Sequence, residues 1–240
     1  MLDRHSGVAL WRQIEDSLAR DISNKILRDR MPNETELATQ FAVNRHTIRR
    51  ALQALESRGL VRIEQGRGTF VQEEMIDYQL GRRTRFSHSL QKQQLAGQSR
   101  VLQTKTEPAN QDICLQLGIA ADSHVLHIEA LDIVDDRVVG VCHQYFPLPR
   151  FQGFEAFYCS QPNTNLALKA FGIDLCQRKS SRISARLPES GQAQLLSQTK
   201  FQPLLCVESV YSDADSQIIE YGITHFTGDA VQIYLEAETF

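Results

Sequence analysis

MPNETELATQFAVNRHTIRRALQALESRGLVRIEQGRGTFV, residues 31–71, decides the fold of the first part of this chain. Pro32 breaks whatever precedes it. Asn33, with Glu36 three residues on, writes a capping box, and Leu37, Ala38 and Phe41 then share one helical face. Val43-Asn44 reads as a short turn, with Asn44 as N-cap of a further helix over roughly 45–57. That helix buries Ile48, Ala51, Leu52 and Leu55 and stops at Gly59. Subtracting this stripe leaves Arg45, His46, Thr47, Arg49, Arg50 and Gln53 on the free side. Cations are disfavoured at a helix N-terminus, so arginines there point to an anionic partner.

Working outward, Leu10, Ile14, Leu18, Ile22 and Ile26 recur every fourth residue and predict a helix within 9–27. On the other side, LVRIEQGRGTFV alternates apolar and polar residues around Gln65-Gly66-Arg67-Gly68, which predicts a hairpin with a glycine-rich tip. Two helices joined by a tight turn, the second starting with basic and polar residues, describe a helix-turn-helix, and the hairpin behind it a wing. The start of the second helix would meet base edges, where arginine forks suit guanine and phosphates accept the remaining donors.

The whole chain agrees. Residues 1–72 hold 12 Lys+Arg against 9 Asp+Glu, while 73–240 hold 14 against 20, a basic head on an acidic body. No apolar run approaches a membrane span, and the N-terminus lacks the apolar core of a signal peptide, so a cytoplasmic location is expected. Five cysteines without a CxxC pair exclude a disulfide scaffold and a zinc cluster, and reduced, mostly buried thiols are expected. No cofactor or metal site is expected.

Residues 10–71 resemble the winged-helix signature of the GntR family of bacterial transcription regulators. Met31, Asn33 and Asn44 are small departures from it, and both asparagines keep a capping side chain. The resemblance implies DNA contacts at Arg45, Thr47, Arg49, Gly66 and Gly68. His46, Arg50 and Arg67 join them from position alone.

After a segment without periodicity, 73–84, read as a linker, residues 85–240 predict an α+β domain. Helices are expected at 87–96, 108–117, 164–171 and 188–197. Strands are expected at 99–106, 124–134, 137–146, 177–186, 204–212, 217–227 and 230–238, in a mainly antiparallel sheet. Phe86-Ser87, the LGI at 117–119, Tyr145-x-Pro147, Pro203-Leu204-Leu205 and Glu220 ahead of Thr227-Gly228-Asp229 resemble the HutC branch of the family. That resemblance implies a chorismate-lyase-like fold that senses a ligand. NRHTIRRAL and RISAR are similar to regulators of phosphonate-utilisation operons.

The seven histidines are scattered, with no HExxH, GxSxG or P-loop, so an enzyme is the weaker alternative; a pure dimerisation module is another. For the ligand, Arg182, Ser184 and Arg186 share one strand face and suit an anion. Ser87 is read as the cap of the first helix, beside Arg85 and Phe86. Tyr145 lies on a strand face with His143. Where the family often places arginines, this chain has Ala130 and Asp132. Asp132 and Glu220 would then receive a cationic group, and a zwitterion such as an aminoalkyl phosphonate or an amino acid would satisfy both ends. The expected whole is a homodimeric, ligand-responsive regulator, most simply a repressor, on a palindromic DNA operator.

Overall fold

The computed structural model describes residues 7–24, 26–28, 30–64, 66–72 and 75–236. It divides into two compact units, Met1–Glu74 and Met75–Phe240.

In the first unit, α1 (Leu10–Ser23), α2 (Glu34–Phe41) and α3 (Arg45–Ser57) precede a hairpin of β1 (Val61–Glu64) and β2 (Gly68–Val71). Ile14, Leu18, Leu37, Ile48, Leu52 and Leu55 meet in one core, each almost wholly buried. Each such side chain stabilises the fold by about 1.5–3 kcal/mol. The capping box of Asn33 and Glu36 is complete, and the Asn44 side chain accepts from the Thr47 N–H at 2.8 Å. The first helix ends sooner than its periodicity suggests: α1 stops at Ser23 and Ile26 is exposed. Gln65, at the hairpin tip, lies outside the described residues.

In the second unit, the elements run β3 (Ile76–Gln79), α4 (Phe86–Lys92), β4 (Gly97–Pro108), α5 (Gln111–Leu117), β5 (His124–Val134), β6 (Arg137–Pro147), α6 (Phe154–Ser160), α7 (Thr164–Ala170), β7 (Gln177–Arg186), α8 (Ser190–Leu195), β8 (Leu204–Ser212), β9 (Ile218–Thr227) and β10 (Val231–Tyr234). Six strands form one antiparallel sheet in the order β4-β5-β6-β9-β8-β7. Asp135 and Asp136 both take positive φ, as a two-residue turn between β5 and β6 requires.

Three expectations are corrected. The segment read as a linker is built into the second unit: β3 pairs in parallel with β10, and Ile76, Tyr78 and Leu80 are buried in its core. Residues 73 and 74 of that segment lie outside the described residues. The expected strand 230–238 is the short β10, which leaves the main sheet; residues 237 and 238 lie outside the described residues. The helix α6 was not foreseen. Its Phe154 packs with Phe146, Phe151 and Phe171 at centroid separations of 4.7, 5.5 and 5.4 Å. This aromatic cluster holds α6 and α7 against one face of the sheet. All five cysteines are free; Cys114 and Cys206 are buried, and Cys159 is exposed.

Candidate functional sites

The free side of α3 carries Arg45, His46, Arg49 and Arg50 exposed, with Thr47 half-buried. The Asn44 carboxamide oxygen also accepts from the Thr47 hydroxyl at 2.9 Å, so cap and first turn are one rigid piece. Glu34, which sequence reasoning missed as a partner, accepts from Arg49 Nε at 3.0 Å, Arg49 Nη2 at 2.8 Å and Arg45 Nη2 at 3.1 Å. The Arg49 hydrogen bonds hold its carboxyl below the usual carboxylate range. Two of the exposed arginines of α3 are thus held by an internal anion. Arg50 lies 4.4 Å over the Trp11 ring, which gives it a packing role as well. In the wing, Arg67 pairs with Glu64, while Gly66 and Gly68 sit at φ 77° and 120°. A Cβ at Gly68 would stand 3.1 Å from Arg30 Nε, so this glycine also lets a neighbouring side chain pass.

The second unit holds a cavity of about 140 Å³ over one face of the sheet, lined by α4, the start of α7 and the middle of β5, β6, β8 and β9. Arg85, Phe86, Ser87, Asp132 and Glu220, all foreseen, line it together. The chain joins them across long separations. Arg85 donates to Glu220 Oε1 at 3.0 Å and Oε2 at 2.7 Å, to Asn165 Oδ1 at 2.8 Å and to Cys176 Sγ at 3.0 Å. Its guanidinium lies 4.0 Å over the Tyr211 ring. Burial opposes the guanidinium's charge, but Glu220, Cys176 and Tyr211 together more than offset this and hold its pKa well above the ordinary value. Glu220 is 1% exposed and also accepts from Gln144 Nε2 at 2.8 Å. Asp132 is different: burial alone pushes its carboxyl up to about 7.

Sequence reasoning missed Gln144, Tyr158, Tyr211 and Thr164 in the lining. A usable signal was present in two glycines inside strands, a pattern that often marks a close approach to backbone. A Cβ at Gly140 would meet Phe226 at 2.9 Å and Asp132 Oδ2 at 3.4 Å, and one at Gly222 would stand 3.3 Å from Glu220 Oε1.

Four expectations for this site are corrected. Arg182 and Arg186 do not line the cavity. They pair instead with Glu208 at 3.6 and 2.8 Å, on the opposite face of the edge strand β7, and Ser184 accepts from Arg186 Nε at 3.2 Å. Glu220 is already saturated by Arg85 and Gln144, so it does not await a cation. Ser87 is not the cap of α4, whose N-cap is Arg85. Tyr145 stacks on His127 at 4.5 Å on the face away from the cavity, where His127 Nε2 and His143 Nδ1 lie 3.1 Å apart. Burial lowers the pKa of His127, of His143 and of His225, the last to about 4.

A winged helix-turn-helix followed along the chain by a sheet domain with a ligand-sized cavity defines a class, the DNA-binding transcription regulators that sense a small molecule. Residues 10–71 match the bacterial regulatory proteins of the gntR family, and residues 92–232 match the UTRA domain. The chain belongs to the GntR family and carries a UTRA effector-binding domain; like its relatives it is a transcription regulator and not an enzyme. It is 34% identical over 239 residues to an HTH-type transcriptional regulator of Rhizobium meliloti (strain 1021), covering 98% of each chain. It is 27% identical over 233 residues to the mannosyl-D-glycerate transport/metabolism system repressor MngR of Escherichia coli (strain K12), covering 95% of this chain and 96% of that one. The crystal structure of PhnF from Mycobacterium smegmatis superposes with TM-score 0.67 at 25% identity, covering 93% of this chain and 98% of that one.

Proposed function

We propose that this protein is a cytoplasmic, homodimeric repressor whose affinity for a palindromic operator changes when a small molecule fills the cavity. The first unit reads the operator through Arg45, Thr47 and Arg49, with His46, Arg50, Arg67 and the wing glycines against the backbone. The second unit binds the effector and pairs the two copies. The observation that carries this reading is Tyr78. It stands on β3, the first strand after the DNA-binding unit along the chain, and its ring lines the cavity. Its hydroxyl accepts from Arg178 Nη2 at 2.6 Å, and Arg178 also donates to Tyr211 at 2.9 Å and to the Gly81 carbonyl at 2.7 Å. An occupant of the cavity therefore presses on the chain segment that leads to the DNA-binding unit. A ligand that fits two arrangements of that segment unequally shifts operator affinity by the same difference.

The repressor assignment is supported by the relative named as one. Dimerisation is supported by geometry, because one head reads few bases and paired half-sites multiply specificity. No helix among the described residues is long and apolar enough to cross a membrane. The test is selection of bound sequences from a random DNA library, with sedimentation of the free protein. A palindromic consensus and a dimer at micromolar concentration are expected. A monomer with a single non-repeated half-site would refute the proposal.

A further inference from the structure

We propose that the cavity recognises its ligand through a protonated amine that docks on Asp132, and that a free anionic group is not what this site is built to hold. The inference deepens the proposed effector role of the cavity and rests on it.

Three charged side chains line the cavity: Arg85, Glu220 and Asp132. The only cation among them is spent. Arg85 Nε and both of its terminal nitrogens already have partners, and two of its bonds go to the Glu220 carboxylate. An incoming phosphate, phosphonate or carboxylate would have to displace a carboxylate that is 1% exposed and fixed from a second side by Gln144. Arg182 and Arg186 lie outside the lining and pair with Glu208, and Arg178, behind the lining tyrosines, is held by the Tyr78 and Tyr211 hydroxyls and the Gly81 carbonyl. Subtracting the Arg85–Glu220 pair leaves one carboxyl, Asp132, with no opposite charge in the cavity.

The surroundings of Asp132 leave it open to a ligand. Its register partner on β6 is Gly140, which adds no side chain of its own; the Phe226 ring packs beside that glycine, and Asp132 still lines the cavity. Its partner on β4 is Ser99, which also lines the cavity. The other titratable or charged groups of the lining are Tyr78 on β3, Cys142 on β6, Tyr158 on α6, Tyr211 on β8, Glu220 on β9 and Arg85 ahead of α4; no histidine is among them. Burial pushes Cys142, Tyr158 and Tyr78 up, so these three stay neutral near pH 7. Burial alone raises Asp132, with no charged partner to oppose it. A buried carboxyl in that position is satisfied by taking a proton or by pairing with a cation. An ammonium group supplies both charge and N–H donors at once. The cavity, about 140 Å³, is close to the roughly 150 Å³ that admits benzene, so the ligand is a small amine of about six to ten heavy atoms.

The proposal fixes a sign. Asp132 must be ionised to hold a cation. With its carboxyl near 7 in the free protein, affinity for a permanently protonated amine should rise about tenfold from about pH 6 to about pH 8.

Calorimetry on the DNA-free protein tests it with three probes of one shape: cyclohexylamine, cyclohexanol and cyclohexanecarboxylate. Cyclohexylamine should bind the parent most tightly and show the tenfold rise with pH. Asp132→Asn should weaken the amine by about tenfold or more, remove its pH dependence and move cyclohexanol by less than about twofold. The variant removes a buried charge that costs stability, so it folds. Its operator binding without ligand is measured alongside. Unchanged operator affinity together with amine loss supports the proposal. Tighter binding of the carboxylate than of the amine overturns it, and so does an equal loss of all three probes. A flat pH profile, or no amine binding by the parent up to about 10 mM, would overturn it as well. Failure of the parent to bind any DNA would instead strike the repressor reading and leave the amine result standing.

Discussion

Asp132→Asn should make the second unit more stable at neutral pH, and the gain should grow with pH in a definite window. The Asp132 carboxyl stands at about 7 in the folded protein against an ordinary value of 3.8. A folded pKa above the unfolded one means that the native state binds the extra proton between these two values. Stability from this group is therefore fully present below about pH 4 and is lost as pH rises through 7. The separation, just over three pKa steps, corresponds to about 4 kcal/mol at most. The core imidazoles act in the opposite sense. Burial depresses His225 to about 4, so stability from it is lost as pH falls from about 6.5 toward 4. The two effects mask one another in the parent, and the difference between variant and parent isolates Asp132.

The chain offers a convenient internal control. Its one tryptophan, Trp11, lies in the first unit, and its six tyrosines lie in the second. Urea unfolding followed by tyrosine circular dichroism should show the variant's advantage growing from near zero at about pH 4 to a few kcal/mol at about pH 8. The tryptophan transition should not move. An advantage that is the same at both ends of the range would refute the buried, unpaired carboxylate.

Three further outcomes follow from the same structure. Glu220→Gln leaves the buried Arg85 guanidinium without its counter-charge and should destabilise the second unit by about 3–5 kcal/mol, measured by the same tyrosine signal; the double variant with Arg85→Met should recover much of that loss. Arg49→Ala should cost about 1–3 kcal/mol on the selected operator and relax preference at one base, measured by binding to single-base operator variants. Glu34→Gln releases Arg45 and Arg49 from their internal anion, so affinity for random-sequence DNA at low salt should rise, and an unchanged affinity would show that the pair breaks at no cost in the parent.

The DNA-binding unit was legible because its signals are local. The capping box, the Asn44 N-cap, the fourfold apolar spacing and the glycine hairpin each depend on residues within a few positions of one another. The elements they predict are those found, apart from the early end of α1. The strands of the second unit were legible for the same reason. Alternation also placed Arg182, Ser184 and Arg186 on one face of β7, correctly. It carried no information about which face looks into the cavity, because that depends on the pairing of β7 with β8, where Glu208 stands opposite Arg182. The linker reading failed on the same ground. A four-residue strand has too little pattern to be seen, and β3 exists because β10, more than 150 residues later, supplies its partner. The charge of the cavity was hidden most deeply. Arg85 and Glu220 are 135 residues apart, and until they meet in space each looks like a free recognition group. Only their mutual neutralisation leaves Asp132 as the unanswered charge, and no spacing along the chain encodes that subtraction.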